Sequence, residues 1–178
     1  MKDKVKSRDL LIVDGYNFIF SFFKSEGLNS ERLTYLREKL IEDLIWYKSQ
    51  KHCDVIIVFD ARSSNKIGSG SYIIDDVKVI FSKRGRTADD VIEGLISRSA
   101  VYKRIFVVTS DYLQQQVIFR KNIYRKSTRE FNIEIKDYKD KVREYIKELK
   151  EGSGRAFSSF EKRLSKKARK KFLELREK

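Results

Sequence analysis

The stretch Leu10-Leu11-Ile12-Val13-Asp14-Gly15-Tyr16-Asn17 decides how this chain folds. Its four consecutive aliphatic residues predict a short strand that is buried on both faces, as in a parallel sheet. Asp14 stands at the carboxyl end of that strand, Gly15 permits a tight turn, and the Asn17 amide can reach the same place. Ligands bind at this edge of open α/β sheets. Taken alone, the stretch fits either a ligand site or a simple Asx-type turn at the end of a strand.

Two further segments repeat this pattern. Residues 54–60 form an apolar run that ends in Asp60, and residues 104–111 form another that ends in Asp111. A shorter apolar run at residues 77–81 predicts one more strand, whereas the polar residues 61–71 are typical of a loop. Strands that alternate with helical patterns indicate an α/β domain, with a central, mostly parallel sheet flanked by helices.

Capping signals predict where the helices begin. Ser30 is a suitable N-cap for a helix that runs to about residue 50, and Thr87 for one that runs to about residue 100. A further helix is predicted at residues 112–119. Residues 127–130 match a capping box and predict a helix after them. Residues 131–135 also alternate like a strand, so both interpretations stay open there.

A glycine pair indicates how the chain is divided. Gly152-Ser153-Gly154 predicts a break before a final helix that is rich in Lys and Arg. We therefore expect a domain at residues 1–150 and a basic C-terminal helix at residues 151–178, docked on the same domain.

The acidic residues at the strand ends are expected to converge, because parallel strands end at one edge of a sheet. Asp14, Asp60 and Asp111 would meet there, joined by Asp89 and Asp90 from the start of a helix. Two carboxylates about 4 Å apart repel by about 4 kcal/mol at an effective dielectric of about 20, so such a group needs a cation. Oxygen ligands without histidine or thiolate favour Mg²⁺ or Mn²⁺. Each acid alone often only caps the next helix.

Carboxylate-held metal beside a basic surface is the equipment for phosphodiester hydrolysis. Polar residues near the acids would orient the phosphate or the attacking water; these are Asn17, Thr109, Ser110, Arg86 and Thr87. Other α/β chemistries fit less well. The sequence contains no phosphate-binding loop ending in Lys and Ser or Thr, no Gly-x-Gly-x-x-Gly after a strand, and no Gly-x-Ser-x-Gly. An aspartyl phosphatase would have a second Asp where Tyr16 stands.

The charge points to a polyanionic partner. Forty Lys and Arg against twenty-six Asp and Glu give a net charge of +14. Half of it lies in residues 150–178, and residues 120–129 carry five positive charges and no negative one. Basic surface on both the body and the tail suits a phosphate backbone better than a membrane. A merely solvated basic face is the other interpretation. The candidate RNA-binding residues are Arg62, Lys83, Arg84, Arg120, Lys121, Arg125, Lys126, Arg129, Lys166, Lys167, Lys170 and Lys171.

The remaining composition predicts a cytoplasmic protein. Cys53 is the single cysteine, which excludes an internal disulfide and fits a reducing compartment. No apolar run reaches the roughly 18 residues that a membrane span needs. The N-terminal residues do not resemble a signal peptide, because Asp14 interrupts the apolar stretch.

Five segments resemble the motifs of YacP-like NYN-domain proteins and stand in that family's order. They are Val13-Asp14-Gly15-Tyr16-Asn17, Val58-Phe59-Asp60, Thr87-Ala88-Asp89-Asp90, Val108-Thr109-Ser110-Asp111 and Arg125-Lys126-Ser127-Thr128-Arg129-Glu130. The resemblance implies a PIN-like fold and a Mg²⁺- or Mn²⁺-dependent endoribonuclease, and the family includes a bacterial enzyme that cleaves mRNA on the ribosome, so RNA, ribosome-bound mRNA in particular, is the expected partner. By position, Asp14 and Asp89 are the essential acids, supported by Asp60 and Asp111. Asp90 stands where the family often has Glu.

Two other functions remain open on the sequence. One is a catalytically silent RNA- or ribosome-binding module that keeps the fold, which the presence of all the acids disfavours. The other is the toxin of a toxin–antitoxin pair, which usually lacks such a basic C-terminal extension.

Overall fold

A computed structural model of the protein describes residues 8–24, 27–60, 70–110 and 122–163, with side chains as far as residue 147. The strands are β1 (Leu10–Asp14), β2 (Asp54–Phe59), β3 (Gly70–Ile74), β4 (Val77–Phe81), β5 (Ile105–Val108) and β6 (Ile123–Lys126). The helices are α1 (Gly15–Phe20), α2 (Ser30–Lys51), α3 (Ala88–Arg98) and α4 (Thr128–Arg163). In these ranges no helix is both long and apolar enough to cross a membrane.

The strands form one sheet in the order β3-β4-β2-β1-β5-β6. Every neighbouring pair is parallel except β3 and β4. The chain builds outward from β1 in one direction and then returns to the other side of β1 to form β5. The carboxyl ends of β1 and β5 therefore flank a topological switch point, which is where open α/β sheets bind ligands.

The two faces of the sheet are covered by different helices, because successive side chains of a strand point to opposite faces. Leu11 and Val13 pack on the face that α2 and Phe131 of α4 cover, while Leu10 and Ile12 pack with Ile92 of α3. All five residues of β1 are buried, as four aliphatic residues in sequence predict. The predicted α/β class with a mostly parallel sheet is confirmed.

Contacts between residues divide the chain into two compact units, residues 1–135 and 136–178. The division falls inside α4, which continues through Gly152 and Gly154 to Arg163. The predicted break at these glycines is therefore wrong. Each glycine in a helix interior costs about 1 kcal/mol relative to alanine, and a long helix tolerates that cost. The basic C-terminal helix beyond residue 163 lies outside the described residues, so its docking stays a prediction.

Three short elements were not predicted from the sequence. Helix α1 follows β1 without a loop, and β3 occupies residues that are polar or exposed throughout. A two-residue turn joins β3 to β4, with Asp75 and Asp76 both at positive φ, as a tight hairpin requires. Strand β6 lies within the basic stretch at residues 120–129, where charged residues leave no apolar strand pattern.

The N-cap of α2 is Asn29 rather than the predicted Ser30, because the Asn29 side chain accepts a hydrogen bond from the Arg32 backbone amide.

We predict that Gly15→Ala destabilises the protein by about 1–3 kcal/mol or more, because the new methyl group overpacks the core. A Cβ at position 15 would lie 2.3 Å from the ring of Phe59, which is fully buried. The free energy of unfolding in denaturant measures the effect. Gly70→Ala is the matched control, since a Cβ there meets no atom within 4 Å. Equal stability of the two variants would contradict the prediction.

Candidate active site

Asp14 lies at the carboxyl end of β1 and is only 6% exposed. Its Oδ1 accepts a hydrogen bond from the backbone amide of Asn17 at 3.0 Å, so Asp14 is the N-cap of α1. The Asx-type interpretation of this stretch is therefore confirmed. It does not exclude a ligand site, because a carboxylate in so buried a position requires donors or a cation to offset its lost hydration.

Asn17 connects the ends of the two strands at the switch point. Its Oδ1 accepts from the backbone amide of Ser110 at 2.8 Å, across from the end of β1 to the segment that follows β5. Thr109, which precedes Ser110, is fully buried, and the Thr109 backbone amide donates to the Lys126 carbonyl. The amide oxygen of Asn17 thus holds the backbone in place instead of facing a ligand.

A ring of hydroxyl groups closes this connection. Thr128 Oγ1 lies 2.6 Å from Ser110 Oγ and donates to Ser21 Oγ at 3.0 Å, and Ser21 Oγ donates to the Asn17 carbonyl at 2.7 Å. The Thr128 hydroxyl has one hydrogen, which it donates to Ser21, so the Ser110 hydroxyl is the donor to Thr128. The ring joins α1, the end of β5 and the start of α4. Sequence reasoning missed Ser21 and Thr128 here, because neither α1 nor β6 was predicted and the residues that follow them were not placed at this edge.

We predict that Thr128→Val lowers the free energy of unfolding by about 1 kcal/mol, because it removes the hydrogen bonds that the buried Thr128 hydroxyl makes with Ser21 and Ser110. Thr128 is 2% exposed, and valine has the same shape without the hydroxyl. Thermal and denaturant unfolding measure the loss. Thr128→Ser keeps the hydroxyl and should retain more stability than Thr128→Val. The reverse order would show that the ring does not stabilise this edge.

Asp60 follows β2 at the same edge. Ser82 Oγ donates to Asp60 Oδ1 at 3.4 Å, and the Ser82 amide donates to the Phe59 carbonyl at 2.9 Å. Ser82 is 1% exposed, although the sequence places it in a basic turn with no sign of this role. The serine thus helps to orient Asp60 from the end of β4.

Helix α3 brings its N-terminus to the carboxyl edge, since Ala88 packs in one cluster with Val58, the residue paired with Asp14. Thr87 Oγ1 accepts from the Asp90 amide, and the Asp90 carboxylate accepts from the Thr87 amide at 2.9 Å. The predicted N-cap is confirmed, and the Asp90 carboxylate makes the second hydrogen bond of a capping box with Thr87. Asp89 is exposed in the first turn.

The described residues do not gather three His, Cys, Asp or Glu side chains that could hold a metal ion. Asp111 lies outside those residues, as does the helix predicted at 112–119. The convergence of Asp14, Asp60, Asp89 and Asp111 therefore stays a prediction.

Basic side chains flank this edge on both sides. Lys83, Arg84 and Arg86 are exposed after β4, while Arg125 and Arg129 are exposed at the β6–α4 junction. The Arg125 guanidinium donates to the Thr109 carbonyl at 3.4 Å. The other predicted RNA-binding residues lie outside the described residues; they are Arg62, Arg120, Lys121, Lys166, Lys167, Lys170 and Lys171.

Lys126 has a partner within the protein. Its ammonium forms an ion pair with Glu134. Burial opposes ionisation of Glu134, but hydrogen bonds and charge from Lys126, with further bonds from Tyr47 and Lys51, hold its pKa below the ordinary value. This pair fixes β6 to the first turns of α4, so Lys126 contributes to the structure of the edge.

The ends of β1 and β5, tied together by polar side chains at a switch point and flanked by basic loops, lie at the edge where open α/β domains bind ligands. The motif pattern of the YacP-like NYN domain matches residues 11–177, and the chain belongs to this family. The predicted family and its PIN-like fold are thus confirmed.

Proteins from Bacillus subtilis resemble this chain over most of its length. YacP of strain 168 is 32% identical over 142 residues, which are 79% of this chain and 83% of that protein. A crystal structure of Rae1 (YacP) superposes with a TM-score of 0.66 at 29% identity and covers 95% of each chain. The structure of a mutant of Rae1 (YacP) gives a TM-score of 0.66 at 32% identity, over 80% of this chain and 84% of that one.

Proposed function

We propose that this protein is a Mg²⁺- or Mn²⁺-dependent endoribonuclease that hydrolyses phosphodiester bonds in RNA. The observation that carries the proposal is the buried Asp14 carboxylate at the switch point, held by the Asn17 amide and tied through Asn17 to the end of β5. Membership of the YacP-like NYN domain family supports it. The basic residues on both sides of this edge supply a surface for phosphate.

The chemistry of the donor set fits a hard divalent cation. The proposed ligands Asp14, Asp60, Asp89 and Asp111, joined by Asp90, would offer only carboxylate oxygens. Oxygen donors of this kind suit Mg²⁺ and Mn²⁺ rather than zinc. When bound, such an ion polarises the scissile phosphate and stabilises the charge that develops on it.

The chain's own residues would orient the reaction. Ser82 steadies Asp60, and the hydroxyl ring keeps Ser110 beside Asn17, so that the acids and the backbone near them keep fixed positions. Asp89 is exposed and can accept a proton from the attacking water. Arg86, together with Lys83 and Arg84, would bind substrate phosphates.

RNA is the proposed substrate class, and the family resemblance extends the proposal to mRNA at the ribosome in the cytoplasm. The net charge of +14 supports a polyanionic partner. The basic C-terminal residues Lys166, Lys167, Lys170 and Lys171 are proposed to contact phosphates of the same partner.

The test is cleavage of end-labelled RNA by the purified protein, with and without added ribosomes. Internal cleavage products support the proposal, and a strong increase on ribosomes supports the ribosomal substrate. Tight RNA binding without any cleavage in either condition would identify the catalytically silent RNA- or ribosome-binding module instead.

A further inference from the structure

Three phenylalanines lie exposed in the residues that follow α1. Phe20, Phe22 and Phe23, called here the aromatic segment, are 36%, 41% and 40% exposed. Large aromatic side chains are ordinarily buried, so three half-exposed rings within four residues are unusual for a surface that only meets water. The nuclease mechanism proposed above does not use them.

The aromatic segment is held in place by the core beneath it. The ring of Phe20 stacks on buried Tyr16 with centroids 5.5 Å apart and planes 9° apart, and Phe22 packs on buried Phe18 at 5.3 Å. The backbone amides of Phe22 and Phe23 both donate to the Ile19 carbonyl. These contacts limit the conformations of the rings before any ligand arrives, which lowers the entropic cost of binding.

The hydroxyl ring places this segment beside positive charge at the candidate active site. Ser21, within the segment, bonds to Thr128, and Arg129 follows Thr128 directly. Arg125 and Arg129 at the β6–α4 junction are exposed, and so is Lys24, which follows Phe23 in the chain. Aromatic rings interleaved with cations suit a ligand that combines flat apolar faces with a phosphate backbone. An apolar protein partner would gain nothing from the cations.

We infer that the aromatic segment stacks on unpaired bases of RNA whose backbone follows the basic β6–α4 junction, so that the substrate is single-stranded at this site. This rests on the proposed function and deepens it. In an A-form duplex the bases are paired and stacked on each other, and aromatic side chains cannot reach their faces. A single strand can splay its bases onto the rings while its phosphates meet the arginines.

The experiment measures RNA binding by the full-length protein, in EDTA so that no cleavage intervenes. The probe is a short fluorescent single-stranded RNA, compared with the same strand annealed to its complement and with a version that lacks bases at central positions. The variants are Phe22→Ala, Phe23→Ala, the double variant and Phe22→Trp. Ile73→Ala is the control, because Ile73 is an apolar side chain 70% exposed on edge strand β3.

We expect each alanine variant to weaken single-strand binding by about 5- to 10-fold, at the lower end of the range for one stacked base. Phe22→Trp should bind at least as tightly as wild type, and Ile73→Ala should be unchanged. Wild type should bind the duplex and the base-free RNA about as weakly as the alanine variants do. The salt dependence of binding should be the same for all proteins, since the phosphate contacts remain.

Two outcomes overturn the inference. One is a double variant that binds the single strand as tightly as wild type. The other is an equal loss by the alanine variants on normal and base-free RNA, which would show that stacking is not what the rings supply. If wild type cleaves RNA in Mg²⁺ in either case, the proposed function stands and only the inference fails. If wild type neither binds nor cleaves any RNA, both fail together.

Discussion

Replacing Asp14 by asparagine is expected to abolish RNA cleavage while the protein stays folded. Asn is as good an N-cap as Asp, so the side chain can still accept from the Asn17 amide and keep α1 in place. What the substitution removes is the negative charge at the switch point. Without that charge the site would lose its hold on the divalent cation, which would stabilise the charge of the transition state, and loss of such stabilisation costs about 10²- to 10³-fold in rate.

The stability of this variant provides a second readout. The acids proposed to meet at this edge would repel one another without a cation, so Asp14→Asn should melt no lower than wild type when EDTA is present. Asp89→Asn is expected to lose activity in the same way. Asp75→Asn is the matched control, because Asp75 lies in the β3–β4 turn at the opposite edge and its positive φ suits asparagine. Full activity in both Asp14→Asn and Asp89→Asn would rule out the proposed site.

Removal of divalent metal is expected to stop cleavage completely, and Mg²⁺ or Mn²⁺ should restore it. The acids proposed for the site offer only oxygen ligands, which bind zinc poorly in comparison with sites that contain histidine or thiolate. Comparing cleavage in excess EDTA with cleavage in a zinc-selective chelator therefore distinguishes a Mg²⁺ or Mn²⁺ site from a zinc site. The rate of single-turnover cleavage at saturating enzyme is the quantity to measure.

RNA binding is the control for this experiment. The basic residues around the edge act on the phosphate backbone without the metal, so binding in EDTA should persist while cleavage stops. Undiminished cleavage in excess EDTA would contradict the mechanism. Inhibition by the zinc-selective chelator alone would show that the ligand set is wrong.

The strands that organise the domain were predictable, because their signal is local. Buried strands β1, β2 and β5 are continuous apolar runs, and only strands covered on both faces tolerate such runs. The N-cap at Thr87 and the capping box at Ser127 were predictable for the same reason, since the partners in each lie within three residues of each other.

The short and exposed elements were not predictable. Strand β3 has no buried side to impose a pattern, and β6 is an edge strand with two exposed residues in four. Gly152 and Gly154 stop many helices, yet α4 passes through both. For the two strands the neighbouring structure, and not the local sequence, decides the conformation. In α4 the length of the helix offsets the cost of two glycines.

The sequence by itself determined the α/β class, the acids at the strand ends and the excess of positive charge, because periodicity and composition are properties of neighbouring residues. Only the tertiary structure decided that Asn17 holds Ser110, that Thr128 joins Ser21 to Ser110, and that Ser82 supports Asp60. These pairs are far apart in the chain and meet because the strand order places β1 beside β5, β5 beside β6 and β2 beside β4. A long-range contact between small polar residues depends on that order and leaves no periodic signal in the sequence.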